Sequence, residues 1–121
     1  MGLMGRLIGL SMVLALVGLA CTAPRSAPNI ADADPTVKIA GIKQASATKD
    51  RAALPALVDE LDSDDPAVRL FALEALERFA GQRFGYEYYL DEVQRKPSLA
   101  RWREWLKQQQ ATSEASPHAG K

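Results

Sequence analysis

Apolar residues recur at helical spacing through the middle of the chain. Leu54, Leu57, Val58 and Leu61 stand at i, i+3, i+4 and i+7, which predicts a helix over about 52–62. Pro55 must lie near its start, because a proline deeper in a helix costs about 3 kcal/mol. From Ala67 to Ala80, ten of fourteen residues are apolar. Val68, Ala72, Ala75 and Phe79 share one side, with Phe71 and Leu76 flanking it. Leu70 and Leu73 fall elsewhere, among Arg69, Glu74, Glu77 and Arg78. A single apolar stripe does not account for those two leucines. A helix over 66–80, packed between neighbours on more than one side, does. Glu74 and Arg78 at i,i+4 read as a surface pair worth a few tenths of a kcal/mol, and Gly81 is placed to end the helix. Leu99, Trp102, Trp105 and Leu106 predict a last helix over about 98–110 that folds back and caps the stack.

The chain also repeats itself. Asp34-Pro35-Thr36-Val37-Lys38-Ile39 aligns with Asp65-Pro66-Ala67-Val68-Arg69-Leu70 at a spacing of 31 residues. In each copy Asp is placed to accept hydrogen bonds from the free amides of a helix's first turn. Pro at the first helical position has no donor to lose, and Val begins the buried stripe. The first copy predicts a helix over about 35–47. A period of 20–50 residues is the signature of stacked helical pairs, so the expected fold is all-α: a short α-solenoid of about two helical pairs.

The N-terminus follows a different pattern. Arg6 precedes an uncharged apolar run from Leu7 to Val17, and Gly18-Leu19-Ala20 leads into Cys21, the only cysteine. Residues 1–20 read as a signal segment outside the fold. Residues 21–33, rich in Pro, Ala and Ser, are expected to be a tether. Residues 34–110 form the expected domain, and the polar, aperiodic residues 111–121 an expected disordered tail. Formal charge is zero, with 15 basic and 15 acidic residues, so losing Arg6 leaves 14 against 15, or −1. No net basic field exists to attract nucleic acid.

The end of the signal resembles the lipobox of bacterial lipoproteins, with Ala20 just before Cys21 and Gly18 where leucine is usual. The resemblance implies that Cys21 becomes a lipidated mature N-terminus, held on a membrane by its acyl chains. Thr22, not being Asp, implies the outer membrane under the enteric sorting rule. Two other readings exist: an ordinary secretory signal leaving Cys21 as a thiol, or an uncleaved anchor, for which the run falls short of about 20 apolar residues.

Residues 53–81 resemble a HEAT repeat of the short bacterial kind, often grouped with phycocyanobilin-lyase-like repeats. The matching features are Leu54-Pro55-Ala56-Leu57, the acidic turn, and Asp65-Pro66 with Val68 and Arg69, followed by Ala72 and Ala75-Leu76. The first copy has Gly41 and Gln44 where the second has Ala72 and Ala75. Phe84-Gly85-Tyr86, followed by Trp102 and Trp105, resembles the closing segment of small exported HEAT proteins. The resemblance implies a helical scaffold and carries over no catalytic residue, no cofactor and no metal site.

The candidate chemistry is sparse. The acidic run Asp59, Glu60, Asp62, Asp64, Asp65 lacks the glycine and closing Glu of an EF-hand loop, and reads as a solvated turn. His118, the only histidine, lies in the tail, and no Gly-rich phosphate loop or metal spacing occurs. Enzymatic activity and a small-molecule substrate are therefore not expected. The basic group Arg95, Lys96, Arg101, Arg103 and Lys107 reads as a solvated face or a contact with a protein. The aromatic cluster Phe84, Tyr86, Tyr88, Tyr89, Trp102 and Trp105 reads mainly as the cap of the core. The residues expected to meet a partner are Tyr88, Tyr89, Arg101 and Arg103. The leading expectation is a lipid-anchored, non-enzymatic adaptor or scaffold at the bacterial envelope, with a protein partner. The alternative is a glycan or peptidoglycan contact protein using the Tyr-rich segment.

Overall fold

Asp at a helix start, followed by Pro, sets the first and third helices of the computed structural model, which describes residues 28–116. The signal segment, Cys21 and His118 lie outside the described residues. Helix α1 spans Pro35–Thr48, and Asp34 Oδ1 accepts the Thr36 amide at 2.8 Å. Helix α2, Leu54–Asp59, is extended at both ends by 3-10 turns, Arg51–Ala53 and Glu60–Asp62. Helix α3 spans Pro66–Ala80; Asp65 Oδ1 accepts the Ala67 amide at 2.7 Å, and Gly81 ends the helix at φ 72°. Helix α4 spans Glu92–Glu114. No strand occurs among the described residues.

The packing is that of a short helical solenoid. Helix α1 lies on α3, and α2 lies on α4, while α3 also contacts α2 and the turn after it. Helix α3 is thus flanked on two sides, which accounts for the full burial of Leu73. The core joins Ile42 of α1, Leu54, Leu57, Val58 and Leu61 of the second helical segment, Val68, Ala72, Leu73, Ala75 and Leu76 of α3, and Tyr86, Leu99 and Trp102 of the cap. Lys43 of α1 sits over the Phe71 ring, 4.6 Å from its centroid.

Three features depart from the expected pattern. Helix α4 begins at Glu92, six residues before Ser98, and runs past Gln110 to Glu114. Asp91 starts it with a reciprocal cap: its carboxylate accepts the Gln94 amide at 2.8 Å, and Gln94 Oε1 accepts the Asp91 amide at 3.4 Å. Pro97 therefore lies inside the helix and deprives Val93 of an amide partner; Val93 is 71% exposed, so water can reach its carbonyl. Arg51 Nη2 meets Gln109 Oε1 at 2.6 Å, tying the end of α4 to the start of the second helical segment.

The second departure is at the N-terminal side of α1. Asn29 and Ile30 do not stand off from the domain: Ile30 packs against the core. Gly41 makes this possible, because a Cβ there would fall 2.6 Å from the Ile30 nitrogen and 2.7 Å from the Asn29 carbonyl carbon. The glycine that breaks the repeat pattern is the seat of this segment.

The third is Arg69. The sequence places it among the polar side chains of its helix, yet it is 7% exposed. The expected Glu74–Arg78 pair does not form; instead Glu77 pairs with Arg83 at 2.9 Å.

Candidate functional site

The residues between α3 and α4, Gly81–Asp91, have no regular backbone pairing of their own. Carbonyls withdrawn from water need partners, and side chains from two helices, α3 and α4, supply them. Trp102 Nε1 donates to Arg83 O at 3.1 Å, and Arg101 Nη1 donates to Phe84 O at 3.1 Å. Arg69 Nε donates to Tyr88 O at 2.8 Å, and Arg95 Nη1 donates to Leu90 O at 2.5 Å. Arg69 also holds the turn before its own helix, donating Nη1 to Ser63 O at 2.6 Å and to Asp64 O at 3.0 Å. A planar guanidinium with five donors suits this bridging, where lysine would offer one point charge.

Tyr86 anchors the middle of the connector. It is fully buried, and its hydroxyl donates to Leu61 O. Burial pushes its pKa up to about 12, against the opposing pull of the Arg95 and Arg69 charges. Arg95 Nε is buried without a hydrogen-bond partner, while its Nη2 stands 4.0 Å from Asp62.

The aromatic cluster divides into packed and open members. Phe84, Trp102 and Trp105 stack edge to face in series, with centroids 4.7 and 5.4 Å apart. Phe84 holds φ 53°, a left-handed backbone rare for an aromatic residue. Its ring against Trp102 and its carbonyl on Arg101 keep it there. Tyr88 packs against the core. Tyr89 is 66% exposed and meets Tyr88 edge-on at 5.5 Å.

The structure does not bring the four expected partner residues into one patch. Arg101 and Arg103 lie two positions apart on α4 and face different ways. Arg101 lines a recess of about 320 Å3 together with Gln82, Phe84, Glu104, Trp105 and Gln108. Arg103 points to Asp62, 3.9 Å away. Of the two tyrosines, only Tyr89 presents a largely exposed side chain.

The acidic run has structural partners. Glu60 pairs with Lys38 at 2.7 Å, Asp62 faces Arg95 and Arg103, and Asp65 caps α3. Sequence reasoning missed the recess altogether. Gln82 and Phe84 come from the connector and the other four residues from α4, so only the fold joins them.

No family model matches the chain, and no curated protein and no solved structure shows a significant match to it. No described helix is long and apolar enough to cross a membrane.

Proposed function

We propose that the chain is a lipid-anchored, non-enzymatic interaction module with HEAT-type repeats, working as an adaptor or scaffold at the bacterial cell envelope, on the periplasmic face of the outer membrane. The observation that carries this reading furthest is the seating of Asn29 and Ile30 against Gly41 of α1. A lipid on Cys21 would be separated from the seated segment only by residues 22–28. Seven residues span at most about 25 Å when fully extended. The domain is then held within about 25 Å of the bilayer.

A protein partner is expected to meet the exposed surface around Tyr89, with Arg103 on α4 a second, separate contact. The tyrosine supplies apolar area with a polar tip, and Arg103 supplies a charge, the residue types enriched where binding energy concentrates. The clamped connector keeps this surface in one conformation, which lowers the ordering cost of binding.

Site-specific photo-crosslinking in intact cells tests the reading. A crosslinker at position 89 or 103 is expected to capture one envelope protein in a discrete adduct, and one at Ala40 on α1 is not. Equal capture from both ends, or none from 89 and 103, overturns the adaptor reading.

A further inference from the structure

We propose that the recess between the connector and α4 binds an uncharged hexopyranose unit of a glycan, with Trp105 as its stacking wall. This inference does not rest on lipidation, and it uses residues other than the Tyr88–Tyr89 pair.

The recess has the composition such a ligand needs. Phe84 and Trp105 give it an aromatic side, and both are only partly buried. A pyranose ring has an apolar C–H face that lies flat on an aromatic surface, and a rim of hydroxyls that both donate and accept. The rim of the recess answers in kind. Gln82 and Gln108 each offer a carbonyl acceptor and two donors, and Glu104 is an acceptor. Arg101 spends Nη1 on Phe84 O and keeps its other donors.

The lining holds one cation, Arg101, and one anion, Glu104, which also faces Lys107 at 3.9 Å, so it carries no net charge and an uncharged ligand fits it. Four polar side chains around two aromatic ones disfavour a purely apolar occupant, whose burial would strand them. The recess is an open surface depression of about 320 Å3, in which a single ring laid on the aromatic side keeps one face toward solvent.

The wall is set before any ligand arrives. Trp105 is braced edge-on by Trp102, and Trp102 is tied to Arg83 O. Phe84 is kept in its left-handed conformation by Arg101, which itself lines the recess. Strained residues persist where surrounding contacts over-determine them, and they cluster at ligand clamps.

Saturation-transfer NMR and tryptophan fluorescence on the full chain test this, in a zwitterionic detergent without a sugar headgroup. The probes are N,N′-diacetylchitobiose and maltose, with glucuronate as the anionic control. At least one neutral disaccharide is expected to bind saturably, with transfer strongest at ring C–H protons. Gln108→Ala, at an exposed position, should weaken binding about two- to twelvefold, the worth of one net hydrogen bond. Trp105→Ala should abolish the fluorescence response, and Tyr89→Ala should leave binding unchanged. No transfer from either disaccharide, response to glucuronate alone, or binding unchanged in a folded Trp105→Ala variant would overturn the proposal. The Tyr89→Ala result separates this site from the exposed Tyr segment.

Discussion

Replacing Arg69 with methionine removes the link between the α2–α3 turn and the connector. The guanidinium donates to three carbonyls, those of Ser63, Asp64 and Tyr88, at 2.6–3.0 Å. Each charge-assisted bond is worth about 1.5–3 kcal/mol, but the buried guanidinium also forfeits hydration that the variant no longer loses. Methionine keeps most of the apolar stem. Ser63 and Tyr88 are half-buried and Asp64 is exposed, so water recovers part of what the carbonyls lose. A net loss of about 2–3 kcal/mol follows, from roughly 1 kcal/mol per carbonyl left unpaired. For a domain of this size that lowers Tm by about 10–20 °C. Arg69→Lys should recover less than half, because one ammonium cannot span both the turn and the connector. The assay is urea unfolding followed by far-UV circular dichroism, with tryptophan fluorescence reporting the cap. A loss under about 0.5 kcal/mol for Arg69→Met would refute the reasoning, since a change that small is typical of an ordinary surface site.

Three other substitutions probe separate links. Gly41→Ala should gain about 1 kcal/mol of helix propensity and lose a similar amount of Ile30 packing; Tm then moves little, while amide exchange at Asp32, whose amide donates to Asn29 O, accelerates, and unchanged exchange would count against the seated segment. Pro97→Ala restores an amide to α4 and should stabilise by about 1–3 kcal/mol, after allowing for the freer unfolded chain; a lower Tm would contradict this account of the helix. Tyr86 holds its proton more tightly when folded, with a pKa of about 12 against 10.0. Its contribution is therefore complete below pH 10 and lost as pH rises from 10 through 12. The native chain should lose about 2–3 kcal/mol more than Tyr86→Phe across that window, and parallel pH profiles for the two would refute it.

Local signals were legible in the sequence wherever one segment determines its own structure. Asp34-Pro35 and Asp65-Pro66 start helices because cap and proline act within one turn, and Gly81 stops one for the same reason. The crowded apolar pattern around Leu73 correctly implied a helix flanked on two sides. Features that depend on distant partners were not legible. Arg69 reads as polar surface until the connector comes to lie across it. Gly41 reads as a weak point in the repeat until Asn29 and Ile30 occupy the space beside it. The start of α4 was hidden by Pro97, whose cost the Asp91–Gln94 cap helps offset. In the basic group near the C-terminus, Lys96, Arg101, Arg103 and Lys107 are exposed, in keeping with a solvated face, whereas Arg95 is buried with its guanidinium on the Leu90 carbonyl, a contact that only the fold creates.

The connector's hydrogen bonds also bear on whether so short a stack stands alone. Repeat arrays commonly need about three units to bury a continuous core. Here Tyr86, Leu99 and Trp102 are each almost wholly buried at the end of the stack, occupying the place of a further repeat. The domain closes its own core, so a partner would meet a finished surface and would not be needed to complete the fold.

The most direct test of the proposed role is the intact mass of the mature chain purified from membranes. The account predicts an N-terminus at Cys21 carrying diacylglycerol and an amide-linked acyl chain, and a Cys21→Ser variant that remains unprocessed. A mature chain with an unmodified Cys21 thiol, or one that retains residues 1–20, would contradict it.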